Sequence, residues 1–166
     1  MAWNDVVMDT RWLTPDELNA WVRLAAVLEL LPGVLESQLR RDADLGHFEY
    51  YVLAMLSEAD QKTLRMTALA QMTNATLPRL SHVVQRLETR GFVERFPCPE
   101  DRRATNARLT DAGWEKVKDS APGHVATARE YVIDALTPEQ ITQLSEITGA
   151  ILTRLDPGGH FAARRT

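Results

Sequence analysis

The sequence of 166 residues is poor in cysteine, and this excludes several kinds of site. Its one cysteine, Cys98, cannot form a disulfide within the chain or supply a four-cysteine zinc site. The four histidines are scattered, with no pair at i, i+4 and no cysteine beside them. A metal-binding motif is therefore absent from the sequence, and we expect neither a metal nor a cofactor.

Catalytic motifs are also lacking. The sequence has no nucleophile elbow, no glycine-rich loop that could cradle a phosphate, and no paired histidines of the metalloprotease type. Carboxylate pairs occur in any acidic chain, and none here has the sequence context of a catalytic dyad. We expect that the protein is not an enzyme.

Long hydrophobic runs are scarce. The first fifteen residues contain Asp5, Asp9 and Arg11, so they hold no signal-peptide core. The longest apolar stretch, LAAVLELLPGVL, is interrupted by Glu29 and Pro32, which predicts a segment too short to span a bilayer. With 45% hydrophobic and 25% charged residues, the composition is that of a soluble protein, and we expect a cytoplasmic one.

Positive charge is in deficit overall but concentrated in one segment. The whole chain carries a net charge of −4, yet residues 62–108 contain nine basic and four acidic residues, a net charge of +5. A local basic field suits phosphate binding. The alternative is a solvated surface with clustered charges.

Hydrophobic periodicity predicts a mainly helical chain. A first helix begins at the capping box Thr14-Pro15-Asp16-Glu17 and continues to about Arg41, with a kink or interruption at Pro32-Gly33. A second helix follows over 47–58. Thr67 caps a short third helix, and Thr76 caps a fourth that ends at Gly91. The short turn between the last two is the spacing of a helix-turn-helix.

A small β-hairpin follows the fourth helix. Residues 92–96, FVERF, alternate apolar and charged positions, residues 97–103 form a tip, and 104–109 return as a strand. Together they predict a wing. Two helices follow, capped by Thr110 and by the second capping box at Thr137. The fold class is mainly α with a small β wing. We expect four parts: an N-terminal dimerisation helix (1–46), a winged helix-turn-helix (47–110), C-terminal dimerisation helices (111–156) and a flexible tail (157–166).

The fourth helix carries the candidate base-reading residues. Its buried stripe is predicted to contain Leu77, Leu80, Val83, Val84 and Leu87. The first turns of a recognition helix meet base edges in the major groove. The predicted DNA-binding residues of this helix are Thr76, Pro78, Arg79, Ser81, His82, Gln85 and Arg86. Among them Arg79, Ser81, His82 and Gln85 suit bases, whereas Arg86 (with Thr89) suits phosphates. The alternative is an ordinary exposed helix face.

The wing tip supplies two adjacent arginines, Arg102 and Arg103. Arginine suits the narrow minor groove, where the potential is most negative. Glu100 or Asp101 can hold a neighbouring guanidinium by paired hydrogen bonds and so fix its direction. The alternative is a surface ion pair that contributes little to stability.

These residues resemble a family signature. The run Asp101-Arg102-Arg103, then Leu109-Thr110, then Gly113, is similar to the D-x-R…L-T-x-x-G wing pattern of the multiple antibiotic resistance regulator (MarR) family. The resemblance implies a homodimer whose two winged domains read a pseudo-palindrome. It also implies that Arg103 enters the minor groove and that Asp101 orients it. The opening Thr76-Leu77-Pro78-Arg79 and His82 depart from the residues that many members carry, so base preference cannot be transferred.

Partners follow from the ends of the chain and from the resemblance. The long terminal helices have more apolar surface than one winged domain can cover, which predicts a homodimer rather than a monomer. The resemblance implies a small aromatic effector in a crevice, with Trp21, Phe48, Tyr51 and Val52 as candidates. Cys98 is a spectator thiol or an oxidant sensor. The favoured function is a DNA-binding repressor released by a small ligand. A winged-helix dimer that acts through protein or small-molecule binding stays open.

Overall fold

The computed structural model describes residues 10–160 and shows six α-helices with one small sheet, which confirms the predicted fold class. Trp3, Asp5 and Asp9, together with the last six residues of the predicted tail, lie outside the described residues. The helices are α1 (Pro15–Ala43), α2 (His47–Glu58), α3 (Met66–Met72), α4 (Leu77–Thr89), α5 (Asp111–Tyr131) and α6 (Pro138–Leu155). The strands are β1 (Thr63–Arg65), β2 (Val93–Pro97) and β3 (Thr105–Leu109).

Helix α1 runs without a break through Pro32, so the predicted interruption is wrong. Proline removes one backbone hydrogen bond, the one that the carbonyl of Leu28 would accept. Leu28 is exposed, so water can satisfy that carbonyl. The chain divides into two compact units within this helix, the first ending at Val34 and the second beginning at Leu35. Helix α5 likewise continues through Pro122.

The first unit is the N-terminal part of α1. Thr14 and Glu17 form the predicted capping box: the Thr14 N–H donates to Glu17 Oε2 at 2.8 Å, and the Glu17 N–H donates to Thr14 Oγ1 at 3.3 Å. Beyond this cap, large apolar side chains are exposed at Leu18, Trp21, Val22, Val27, Leu28 and Leu30. This unit therefore presents an apolar surface that its own residues do not cover.

Because α1 is continuous, it contains the whole apolar stretch within one long helix. Among the described residues, α1 is the one helix whose length and composition would allow it to cross a membrane. Its best 18-residue window has a mean hydropathy of 1.5. The apolar stretch was expected to be interrupted by Glu29 and Pro32, and the helix continues through both. Arg23 and Glu29 lie within the helix, and charges at the centre of a bilayer are costly. A helix that a partner protein covers has the same composition.

The second unit holds the hydrophobic core. Helices α2, α3 and α4 and the sheet contribute fully buried side chains, among them Leu53, Leu56, Leu69, Leu80, Val84 and Leu87. Four of the five residues predicted for the buried stripe of α4 belong to this core. Leu77 does not, since its side chain is 45% exposed. It lies in the first turn of α4, before the helix reaches the core.

The sheet has the order β1-β3-β2, with both neighbours antiparallel to β3. Ala107 at the centre of β3 pairs with Leu64 on one side and with Arg95 on the other. The sequence did not predict β1, which is only three residues long and shows no alternation that could identify it. The cap at Thr67 is also wrong, because α3 begins one residue earlier, after Arg65.

The junction after α4 sets the position of the wing. Gly91 has a positive φ of 77°, and the Phe92 N–H donates to the Leu87 carbonyl at 3.0 Å, which closes the helix as predicted. The Phe92 carbonyl in turn accepts from the Thr110 N–H at 3.0 Å. A Cβ at Gly113 would lie 2.1 Å from that carbonyl oxygen, so only glycine fits there. The end of α4, the root of the wing and the start of α5 are thus tied together.

Candidate nucleic-acid interface

Helix α4 begins as the sequence predicts. Thr76 has extended backbone angles, and its hydroxyl accepts from the Arg79 N–H at 3.4 Å. Pro78 lies in the first turn, where a missing N–H costs no helical hydrogen bond. Leu77, Pro78 and Arg79, in the first turn of α4, are exposed.

The outer face of α4 is polar and exposed. Leu80, Val83, Val84 and Leu87 are buried on the inner side. The predicted residues on the other side are exposed, with Ser81 half-buried: Thr76, Pro78, Arg79, His82, Gln85 and Arg86. Thr89 is exposed too, and its hydroxyl donates to the Gln85 carbonyl at 3.0 Å. The helix therefore offers mixed donors and acceptors of the kind that read base edges.

Arg79 is held by an aromatic ring and not by a carboxylate. The carbon at the centre of its guanidinium lies 4.4 Å from the centre of the Phe48 ring. Within residues 10–160, its side chain makes no ion pair. Stacking limits the rotamers of Arg79 and leaves its positive charge unneutralised.

Arg86 has a different environment. Its Nε donates to Glu49 Oε1 at 3.1 Å, and the Glu49 side chain is only 7% exposed. The predicted role of Arg86 as a phosphate partner therefore competes with an intramolecular carboxylate.

Asp101 shapes the wing tip through the backbone. Its carboxylate accepts from the Arg103 N–H at 3.0 Å, and its carbonyl accepts from the Ala104 N–H at 2.9 Å. The predicted contact between this carboxylate and a guanidinium is not the one that forms, because a carboxylate two residues upstream reaches the backbone more readily. Asp101 thus fixes the turn from which Arg103 projects.

Glu100 also has another partner than a guanidinium. The Cys98 thiol donates to Glu100 Oε2 at 3.0 Å. This hydrogen bond is the main cause that lowers the pKa of the Glu100 carboxyl below its ordinary value. Glu100 therefore stays ionised at neutral pH and is bound to the base of the wing.

The two wing arginines carry unneutralised charge. Both Arg102 and Arg103 are exposed, and no ion pair to either guanidinium is found in the described part of the chain. The arginines of the strands differ: Arg95 bonds Glu88 at 2.7 Å, and Arg108 bonds Glu94 at 2.6 Å. Within residues 62–108, the arginines that bond neither a carboxylate nor the Cys98 sulfur are Arg79 at the start of α4 and Arg102 and Arg103 at the tip of the wing.

A small groove joins these two regions and contains residues that the sequence did not single out. Its volume is about 200 Å³, and its lining includes Thr67, Ser81, Arg103 and Thr105. Hydroxyl groups and an arginine in one groove suit a backbone phosphate. The sequence predicts Thr67 only as a helix cap and Thr105 only as a strand residue. No local pattern links positions so far apart, and folding alone brings them together.

The candidate effector residues have different surroundings. Val52 is fully buried in the core, so it lines no open crevice of this chain. Phe48 is half-buried beneath Arg79, and the Tyr51 hydroxyl donates to the Met72 carbonyl at 3.4 Å. Trp21 belongs to the first unit and is 56% exposed. The described residues contain no group of three or more metal-binding side chains.

Cys98 is a buried thiol at the base of the wing. Its residue is 2% exposed, and Arg65 donates to its sulfur at 3.4 Å. Reactive cysteines are accessible to solvent as well as close to positive charge. The burial of Cys98 favours the interpretation as a spectator thiol.

Known proteins share this arrangement. The family model for the MarR family matches residues 47–105. The crystal structure of Sco3205, a MarR family transcriptional regulator from Streptomyces coelicolor solved in complex with DNA, is 43% identical, with 90% of this chain and 94% of that chain covered at a TM-score of 0.85. AbsC, a MarR family transcriptional regulator from the same organism, is 39% identical, with 88% of this chain and 98% of that chain covered at a TM-score of 0.82.

A more distant relative is the transcriptional repressor MprA of Escherichia coli (strain K12), which is 25% identical over 107 residues, 64% of this chain and 60% of MprA. This chain spans only 55% to 60% of the length of the first curated relatives that it matches. The family follows from the similarity to Sco3205, which covers nearly all of both chains. The chain belongs to the MarR family.

Proposed function

We propose that the protein is a DNA-binding transcriptional regulator, most simply a homodimeric repressor in the cytoplasm. The observation that carries this proposal is the placement of unneutralised charge. Arg79 at the start of α4 and Arg102 and Arg103 at the wing tip have no carboxylate partner within residues 10–160, while Arg95 of β2 and Arg108 of β3 do. When such a charge binds a phosphate of DNA, the counterions condensed on the DNA are released, and this release favours binding.

The relatives support this proposal. Sco3205 has been crystallised with DNA, and its high similarity covers the helix-turn-helix and the wing of this chain. The name of MprA describes a repressor. Repression is therefore the direction of regulation that we propose.

Each part of the interface has its own task in the complex. The first turns of α4 enter the major groove, where Arg79, Ser81, His82 and Gln85 meet base edges. Arg103 enters the neighbouring minor groove, and Arg102 binds the adjacent backbone. Phosphate contacts supply most of the affinity, and base contacts supply the choice of sequence.

The uncovered apolar side chains support a dimer. Helix α6 exposes a stripe formed by Ile141, Leu144, Ile147, Ile151 and Leu155, and the first unit exposes its own apolar surface. Contiguous apolar surface of this kind marks an interface. In a twofold dimer the same surfaces meet in both chains, which places two recognition helices on one pseudo-palindromic site.

Release by a small aromatic ligand is the regulatory step that we propose. Such a ligand changes the affinity for DNA only if it binds one conformation of the dimer more tightly than the other. Phe48, which touches Arg79 of α4, would transmit the presence of a neighbouring ligand to the base-reading surface. A panel of phenolic acids tested for lowering DNA affinity would reveal such a ligand, and no effect across the panel would count against release by this class.

The test is selection of bound duplexes from a random-sequence pool by the full chain. We expect enrichment of an inverted repeat whose half-sites lie about one helical turn apart, or a multiple of that. A pool that stays random after repeated rounds would contradict sequence-specific recognition. A single half-site without a repeat would contradict the dimer while keeping the winged domain as the reader.

A further inference from the structure

Glu49 in the first turn of α2 is unusual among the charged residues. Within residues 10–160 it is the one charged residue that is buried, with 5% of its surface exposed. A buried charge is costly unless it is paired and hydrogen-bonded. Its hydrogen-bond and ion-pair partners therefore indicate the role of this carboxylate.

Those partners lie on the recognition helix and at the start of α2. Glu49 Oε2 accepts from the Gly46 N–H at 2.8 Å, which fixes the carboxylate. Its Oε1 accepts from Arg86 Nε at 3.1 Å, and Arg90 NH1 approaches Oε2 at 4.0 Å. Arg90 also bonds Asp44 at 3.2 Å. Glu49 thus connects α2 to the last turn of α4 and to its C-cap residue.

Arg86 lies next to the residues that read bases. It follows Gln85 directly and is one turn beyond His82, and its side chain is 52% exposed. A free arginine at this place would bind a phosphate of any sequence, since phosphates are everywhere along a duplex. Held by Glu49, the same arginine contributes less to binding of unrelated DNA.

We propose that Glu49 is a specificity-determining positioning residue: it holds Arg86, fixes the rotation of α4 and so favours the operator over other sequences. This rests on the proposed function, because it concerns the same interface. Glu49 touches no base in this arrangement. It acts through Arg86 by keeping one positive charge from indiscriminate phosphates.

Glu49→Gln tests this directly, since glutamine keeps the size and can still accept from the Gly46 N–H. Affinity is measured by fluorescence anisotropy with a selected operator duplex and a scrambled duplex at several salt concentrations. We expect the ratio of operator to scrambled affinity to fall about tenfold. We also expect a steeper salt dependence for the scrambled duplex, by about 0.9 in the logarithmic slope, because Arg86 becomes free to displace one more counterion.

Two further variants complete the experiment. Glu115→Gln removes the same charge from α5 and frees Lys118, its ion-pair partner at 2.8 Å, so it controls for net charge and should leave the ratio unchanged. Arg86→Gln removes the arginine itself and leaves Glu49 its hydrogen bond from the Gly46 N–H. It should weaken operator binding severalfold, because the link between α2 and α4 is lost. It should leave the salt slope as it is, because a held arginine releases no counterion.

The outcomes separate the two claims. An unchanged affinity ratio in Glu49→Gln would overturn the inference, and so would a salt slope that becomes shallower by about one in Arg86→Gln. Equal losses for both duplexes with no change of slope would reduce Glu49 to a structural role. Failure of the wild-type chain to distinguish the two duplexes would instead overturn the proposed function itself.

Discussion

At the scale of single residues, the partners of the arginines matter more than their number. The segment 62–108 has a net charge of +5, but four of its arginines are bound by carboxylates: Arg86, Arg90, Arg95 and Arg108. Lys62 lies over the Trp114 ring, and Arg65 bonds Cys98. The remaining arginines, Arg79, Arg102 and Arg103, define the proposed DNA-facing surface more sharply than the net charge does.

The second unit contains two neighbouring histidines, His47 and His124. The rings of His47 and His124 lie 6.1 Å apart, and the Tyr50 ring lies 4.7 Å from His124. Burial is the main cause that lowers the pKa of both histidines below the ordinary value of 6.5. The Nδ1 atom of His124 is buried without a hydrogen-bond partner among the described residues. The folded state therefore favours the neutral rings.

We predict that the protein loses stability as the pH falls below about 6.5. There the unfolded chain binds protons that the folded chain binds only at lower pH, so unfolding takes up protons. The full contribution of the neutral histidines is present above that pH. The carboxylate of the nearby Glu36 accepts a hydrogen bond from the backbone N–H of His47, which is the main cause that lowers its pKa, so Glu36 is still ionised in this window. Chemical denaturation from pH 7.5 to 5.2 would measure the loss, and His124→Gln should reduce it. An equal loss in that variant would contradict the assignment.

At the scale of elements, the capped helices could be predicted and the distant contacts could not. Thr14, Thr76, Thr110 and Thr137 all cap helices as predicted, because a cap needs only residues three positions apart. Strand β1 was missed, since its pairing with β3 joins positions more than forty residues apart. The continuity of α1 through Pro32 was also missed, because the penalty of a proline depends on what surrounds the orphaned carbonyl.

The candidate site divides in the same way. The exposed face of α4 follows from helical periodicity, which the sequence shows. The partners of Arg79 and Arg86 come from α2, and the turn at Asp101 is a backbone contact. Side-chain partners on another element leave no signal in one sequence. Thus the exposed positions of α4 could be predicted from the sequence, whereas the interactions of their side chains could not.

Gly113 tests the junction between the wing and α5. We predict that Gly113→Ala destabilises the fold by about 2 kcal/mol or more, because the new methyl group would overlap the Phe92 carbonyl at 2.1 Å. Gly149→Ala is the control: this glycine lies inside α6 with no heavy atom within 4 Å of the new Cβ, so alanine should be neutral or stabilise by about 0.5 kcal/mol. Urea denaturation compares the two. Equal stabilities would mean that the close approach at Phe92 is absent in solution.

At the scale of the whole molecule, the apolar side chains that the described residues leave uncovered favour a homodimer. For a homodimer we expect twice the chain mass of 18.7 kDa in light scattering. Ile147→Glu places a charge in the exposed stripe of α6 and should shift the protein towards monomer, with weaker operator binding. Gln143→Glu, an exposed position outside this stripe, should leave the dimer intact. A wild-type chain that stays monomeric, or that requires detergent because α1 is a membrane span, would contradict the dimer.

The central claim is that α4 and the wing together read DNA. Its most direct test is fluorescence anisotropy with the duplex upstream of the protein's own gene, a scrambled duplex, and the Arg103→Ala variant, at several salt concentrations. We predict tighter binding to the natural duplex and a loss of about 1–3 kcal/mol in that affinity for Arg103→Ala. Equal, weak binding to both duplexes, with no effect of the substitution, would contradict the claim.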